Sequence, residues 1–355
     1  MKIKLAILEK DVSYLNRFVN VFSTKYAEKI EVYSFTDKEV ARSAIEENRI
    51  DVFIVSDAFE INVSNLPKRC SFAYFVDSPD VESVNDIRAI CKFQKIDLIY
   101  KQILSLYSEK AGNISDLKID DDSTTVIAFA SPSGGVGCSS VAAACALYYA
   151  AQGKKVLYLN LERFGSADRF FQGEGQFDMS DVIFAIKSKK ANLALKLESC
   201  VKVDPRGVHF FSETKNAMDM LELKNEECTH LISELKISGL YDYIILDVDF
   251  MMGKDMLALY HQTHRMVWVG DGTEISNGKI TRAYQVIETM EASKEVPLTN
   301  KMRLIYNKFS SGGTSSIIEG LGLKHVGGIE VIKPPVVQQV ITHISKNAVF
   351  ESILE

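Results

Sequence analysis

The chain has 355 residues, 46% of them hydrophobic and 25% charged, with 41 basic groups against 47 acidic ones for a net charge of −6. This composition excludes a disordered, collagen-like or disulfide-scaffold protein, and the length is that of about two domains. Apart from one short acidic stretch, both halves are close to neutral, so no basic face for nucleic acid is expected.

In chain order, short apolar runs predict strands over 4–8, 30–35, 51–55 and 72–76. Helix-period stretches at 12–26, 38–48, 81–90 and 96–110 alternate with them. Strands interleaved with helices imply parallel β-α-β units. The segment 108–123, polar and acidic with Asp116, Asp120, Asp121 and Asp122, breaks this periodicity and reads as a domain linker. The expected domains are therefore 1–107 and 124–355. After the linker come strands at 125–130, 156–161, 208–211, 243–248, 266–269 and 302–306, with a helix over 139–152. This is the pattern of a second, larger doubly wound α/β sheet.

No stretch reads as a membrane span. The longest small and apolar run, 141–151, is about half of what a bilayer needs. Met1-Lys2-Ile3-Lys4 lacks the h-region of a signal peptide, and no amphipathic tail is evident before Glu355. The six cysteines, Cys70, Cys91, Cys138, Cys145, Cys200 and Cys228, show neither a C-x-x-C pair nor metal spacing. They read as reduced thiols of a cytoplasmic protein. The one dense basic run, Lys187, Lys189 and Lys190, reads as a solvated helix end.

The strongest local signal is Ser131-Pro132-Ser133-Gly134-Gly135-Val136-Gly137-Cys138-Ser139-Ser140, between a β-branched strand and an Ala-rich helix. Glycines there let successive N–H groups converge on one anion, and the helix N-terminus adds partial positive charge. The strict pattern G-x-x-x-x-G-K-[ST] fails: Pro132 stands for its first Gly and Cys138 for its Lys, while Ser139 keeps the magnesium-binding hydroxyl. Cys138 at a helix N-terminus is open to a lowered pKa, although no His or other base lies nearby in sequence.

Gly-Gly-Val-Gly followed by two small hydroxyl residues resembles the deviant P-loop of the MinD/ParA ATPases. The resemblance continues in order over 124–355. Asn160 and Glu162 stand at the two acidic positions that end the family's second strand, and the run ending in Asp247 and Asp249 resembles the Walker B strand. Asn307 matches the Asn that reads adenine, and 326–335, with Pro334 and Pro335, resembles the loop that covers the base. The resemblance implies ATP and Mg²⁺ as ligands, with Ser139 and Asp247 at the metal and Glu162 and Asp249 as candidate catalytic carboxylates. It also implies a homodimer through this domain. Ser133 and Cys138 stand where the family has lysines, so ATP binding with little or no turnover is expected.

Residues 1–107 resemble a response-regulator receiver. Glu9-Lys10-Asp11 stands at the acidic pocket with Lys10 intruding, and Lys92-Phe93 at the Lys-Pro pair. Ser56 occupies the phosphoacceptor position, with Asp57 shifted to the other side of the strand. A docking or dimerising module is expected rather than a phospho-switch. An atypical, CheY-like receiver joined to a MinD-like domain with an eroded P-loop resembles the TadZ/CpaE proteins of Tad-type pilus assembly. That resemblance implies a positioning factor recruited to a cell pole or to inner-membrane pilus machinery, with Tad assembly and secretion proteins as partners. The alternative is a working partition or positioning ATPase of the ParA or MinD class.

Overall fold

The computed structural model describes residues 2–110, 124–189, 192–294, 298–310, 315–332 and 336–355. Its contacts divide the chain into two compact units. One is made of Met1–Leu117 together with Ser188–Cys200, the other of Lys118–Lys187 and Val201–Glu355. Most of the expected linker, 111–123, lies outside the described residues.

The first unit runs β1 (Ile3–Leu8), α1 (Val12–Lys25), β2 (Ile30–Phe35), α2 (Lys38–Glu47), β3 (Val52–Ser56), β4 (Ser71–Val76), β5 (Ser83–Val84), β6 (Ile87–Cys91) and α3 (Ile96–Ser108). The sheet order is β2-β1-β3-β4-β6-β5, with every pairing parallel except β5 with β6. Alternation along β1 divides its side chains between two cores. Leu5 and Ile7 pack with Phe18, Phe22, Ile99 and Ile103, and Ala6 and Leu8 with Ala41, Ile45, Phe53 and Val55. Asp11 and Asp37 cap the two helices that follow, each accepting two backbone N–H groups.

The helix expected over 81–90 is instead the β5–β6 hairpin. Asn85 and Asp86 take φ of 51° and 62°, the two left-handed residues of a tight primed turn, and Asn and Asp tolerate that region best. That turn closes strands too short for the apolar spacing to reveal.

The second unit runs β7 (Thr125–Ala130), α4 (Cys138–Ala151), β8 (Val156–Asn160), α5 (Met179–Ser188), then, after α6 (Leu193–Cys200), β9 (Lys202–Val203), β10 (Val208–Phe210), α7 (Ala217–Glu222), α8 (Asn225–Ile237), β11 (Tyr243–Asp247), α9 (Lys254–His261), β12 (Arg265–Gly270), α10 (Glu274–Lys294), β13 (Met302–Phe309), β14 (Lys324–Glu330) and α11 (Val337–Ile344). Its sheet order is β14-β13-β12-β7-β11-β8-β10-β9, parallel except at the β9 edge. β7 lies in the interior of the sheet, which explains why Val126–Ala130 is buried on both faces. α4 is apolar all round because it is enclosed: Val141, Ala142, Ala143, Ala144, Cys145 and Ala146 are all at 0% exposure, packed with Ile127, Phe129, Ile341 and Phe350. Part of the expected base-covering loop, 326–330, is the strand β14 paired with β13, while Pro334 and Pro335 lie outside the described residues.

α6 (Leu193–Cys200) belongs to the first unit, although the sequence places it well inside the second domain. Leu195 packs on the α1–α3 core. Lys196 donates to Ser105 Oγ at 2.9 Å, Tyr100 donates to Glu198 at 3.0 Å, and Lys29 pairs with Glu198. Among the described residues no helix is long and apolar enough to cross a membrane.

Candidate functional site

The loop 131–137 is shaped before any ligand arrives. Ser131 Oγ accepts from the Ser133 N–H at 3.0 Å and lies 2.6 Å from Val269 O, tying the loop to β12. Gly135 and Gly137 hold φ of 77° and 83°, a region other residues enter only at a cost. Gly137 has a second reason to be glycine, because a Cβ there would lie 2.6 Å from the Asn307 amide. Gly134 and Gly135 are exposed with nothing within 4 Å of an added Cβ. Gly137 is the N-cap of α4 and offers no side-chain cap, so the helix's first N–H groups and its dipole face the open loop.

Opposite the loop, parallel pairing of β8 and β11 sets Asn160 beside Asp247, and the acids beyond the strand ends converge there. Ser139 Oγ donates to Glu162 at 3.1 Å, Asn160 Oδ1 accepts the Glu162 N–H at 3.0 Å, and Asp249 accepts the Arg163 N–H at 3.0 Å. Asp247 is completely buried. Tyr158 donates to its Oδ2 at 2.6 Å, and its Oδ1 has no partner. Burial, with Glu162 facing it, pushes the Asp247 pKa up to about 8, and burial with Asp249 nearby raises that of Glu162. An orphaned carboxylate oxygen beside a second acid and a hydroxyl is a set of hard oxygen donors short of a cation. Together with the open nest of N–H groups, these residues fit a divalent cation and a polyphosphate. Among the described residues no group of three or more His, Cys, Asp or Glu side chains could hold a metal by itself, so the phosphates would have to supply part of the shell.

Cys138 is not an activated thiol. Part of the residue reaches solvent, yet burial of the thiol, with Asp247 and Glu162 facing it, pushes its pKa well above the ordinary value. The helix dipole is outweighed by desolvation and two neighbouring acids.

In the first unit, the pocket at the ends of β1 and β3 is closed by its own charges. The part-buried Lys92 ammonium pairs with Glu9 at 3.2 Å and Asp77 at 2.7 Å, and Asp11 is spent as the α1 cap. Lys10 donates to Ala58 O, Ser56 is buried, and Asp57 is exposed. Among the described residues no carboxylate stands free where a phosphoacceptor would lie. Residues 1–108 match the family model of the TadZ-like receiver domain. The second unit has the fold of the MinD/ParA ATPases. Over 66% of this chain and 97% of its own, a ParA family ATPase from Chlorobium tepidum TLS superposes with a TM-score of 0.52 at 18% identity. A chain of the MinC:MinD cell division protein complex of Aquifex aeolicus matches 65% of this chain over 93% of its own, with a TM-score of 0.46 at 18% identity. No curated protein sequence matches the chain.

The TadZ-like receiver thus keeps its sheet while its acidic pocket is internally neutralised. In the MinD/ParA-like unit, Ser139, Glu162 and Asp247 come together and Asp249 stands nearby. Asn307 reaches the loop itself, donating to Val136 O at 2.7 Å. Two neighbours of these residues escape sequence reading: Tyr158, which partners Asp247 from the adjacent strand, and Lys308, which donates to Gly135 O at 2.8 Å.

Proposed function

We propose that this chain is a nucleotide-binding positioning and assembly factor for a Tad-type pilus, with Mg·ATP as a structural ligand or slow switch. One observation carries the reading. An open P-loop on an uncapped helix N-terminus faces a buried Asp247 with an unpartnered oxygen, in a chain with Ser133 and Cys138 where the loop's lysines belong. When bound, Mg·ATP supplies anionic oxygens for the loop and divalent charge for the acids. In this reading the N–H groups of Gly134, Gly135, Val136, Gly137, Cys138, Ser139 and Ser140 receive the phosphates. Ser139 and Asp247 hold the metal and its waters. Glu162 and Asp249 are the carboxylates placed to orient an attacking water. Asn307 takes the base once it releases Val136 O, and by the family resemblance Pro334 and Pro335 belong to the same base site. Turnover is slow because no loop lysine neutralises the charge that develops on the transferring phosphoryl group.

The TadZ-like receiver supports the pilus assignment, and its closed pocket supports docking over phosphorylation. Homodimerisation through the second unit and recruitment to a pole or to inner-membrane pilus machinery belong to the same reading, as does a cytoplasmic location. Calorimetry and steady-state phosphate release on the full chain test it. Mg·ATP should bind with turnover near background, and Cys138→Lys should tighten binding more than it restores rate. Absence of binding at millimolar nucleotide overturns the reading. Robust hydrolysis abolished by Asp247→Ala would favour an active ParA/MinD-type ATPase.

A further inference from the structure

A second polar cleft, of about 450 Å³, opens where β12 and β13 begin, lined among others by Lys236, His261, Thr263, Arg265, Asn300 and Lys301. We propose that it binds the phosphate of a small phosphorylated molecule, at a site separate from the glycine loop. The loop follows the end of β7, and β7, β12 and β13 are parallel. Loop and cleft therefore lie at opposite ends of the sheet, roughly 20 Å apart over six residues of strand. Open α/β sheets bind their usual ligands at the carboxyl ends of the strands, so a site at the amino ends is an addition to the fold. The inference stands apart from the Mg·ATP reading above.

Three observations converge on it. The β12–β13 register pairs Met266 with Met302, so the residues just before them, Arg265 and Lys301, come side by side. Lys236 reaches the same cleft from the last turn of α8. Like charges set opposite one another are destabilising. Burial, with the Arg265 and Lys236 charges nearby, lowers the Lys301 pKa. Next, no acid answers these cations. The cleft is lined by neither Asp nor Glu, and among the described residues Lys236, Arg265 and Lys301 form no salt bridge. Glu291 is spent on the Leu298 and Thr299 N–H groups, at 3.1 and 3.2 Å. Arg265 is held by the carbonyls of Ile353 and Leu354, and Lys301 by Thr263 O at 3.0 Å. Neutral carbonyls position the two cations without cancelling their charge. Finally, Arg303 adds a fourth cation. It donates to Asn300 O at 3.0 Å, is only 5% exposed, and its Nε has no partner. Several cations around one cleft call for more than one negative charge, which a phosphate supplies and a single carboxylate does not. Arginine and lysine are also the side chains that take phosphate oxygens in charge-assisted hydrogen bonds. The volume is that of a small-molecule site, with room for the body that carries the phosphate.

Calorimetric titration of the full chain with inorganic pyrophosphate, in a chelator and at two salt concentrations, is the test, with hydrogen exchange to locate the ligand. Wild type should bind and gain protection at 261–265 and 299–303. Lys236→Met and Lys301→Met should each bind about 10-fold more weakly with a shallower salt dependence. Lys236→Arg should bind like wild type, and ligand-free melting of both Lys236 variants should be unchanged. Vesicles of phosphatidylglycerol beside vesicles of phosphatidylcholine separate two sources of the same chemistry. Retention of wild type but not of Lys236→Met on the anionic vesicles alone would assign the phosphate to a lipid headgroup, and pyrophosphate binding without retention to a soluble ligand. A wild-type chain that binds neither probe overturns the inference. So does pyrophosphate protection confined to 134–140, or undiminished binding by both Met variants. Each of those results leaves the Mg·ATP reading standing.

Discussion

Replacing Asp247 by Asn should make the nucleotide-free protein more stable. Asp247 is completely buried, and its pKa is raised from 3.8 to about 8 by burial and by Glu162 opposite. In the unfolded chain the carboxyl ionises at its ordinary value, so folding at neutral pH forces it to take up a proton. A pKa raised on folding contributes stability that is complete below the unfolded value. That stability is lost as pH climbs toward the folded one, at about 1.4 kcal/mol per pH unit. From pH 4 to pH 7 the loss is roughly 4 kcal/mol. Asn has no charge to suppress, and its oxygen can go on accepting the Tyr158 hydroxyl. Its amide would fall where Oδ1 has no partner, which takes back about 1–3 kcal/mol. A net gain of roughly 1–3 kcal/mol remains, or several degrees of melting temperature. Differential scanning calorimetry in a chelator, from about pH 5 to about pH 8, should show Asp247→Asn melting above wild type by a margin that widens with pH. With Mg·ATP the order should reverse, because only the wild type gains from the ligand. A variant that melts at or below wild type near pH 8, or a margin independent of pH, would refute the reasoning.

Cys138 should resist iodoacetamide in the native protein at neutral pH and react once the chain is unfolded, because its thiol pKa is pushed well above the ordinary value; rapid native alkylation, read by peptide mass, would contradict that environment. Leu197, buried on α6 within the first unit, should on replacement by Ala cost about 2–5 kcal/mol and lower hydrogen-exchange protection in α3, whereas loss confined to β7 and β11 would place α6 in the wrong unit.

The doubly wound architecture was legible because β7, the glycine loop and α4 form an unbroken grammar: a buried strand, a run needing left-handed backbone, and an enclosed Ala-rich helix. Ser139, Glu162 and Asp247 were named through the resemblance to the MinD/ParA ATPases, and each sits at or just beyond the end of a strand or the start of a helix. The hairpin at 83–91 was misread because its signal is the Asn85-Asp86 pair, two residues against a wider Val and Ile spacing that also suits a helix. Lys308 was hidden because the β13–β14 register shifts between Tyr306 and Phe309, which defeats strand alternation. Tyr158 reads as one more strand residue until β11 is laid beside β8. The stripe of Leu193, Leu197 and Cys200 states only that α6 is covered, not by which unit.

That helix gives the first unit an unusual timetable. Its sheet and three helices emerge from the ribosome early, but the piece that seats on α3 is encoded some eighty residues later. At about 5–20 residues per second, the interval is on the order of 4 to 17 seconds. During that time Tyr100 lacks Glu198 and Ser105 lacks Lys196, and the seat of α6 stands open to water and to other chains. A receiver fragment ending near residue 110 would keep that seat open permanently. Any partner such a fragment captured would have to be tested against α6 itself, the occupant the chain makes for that surface.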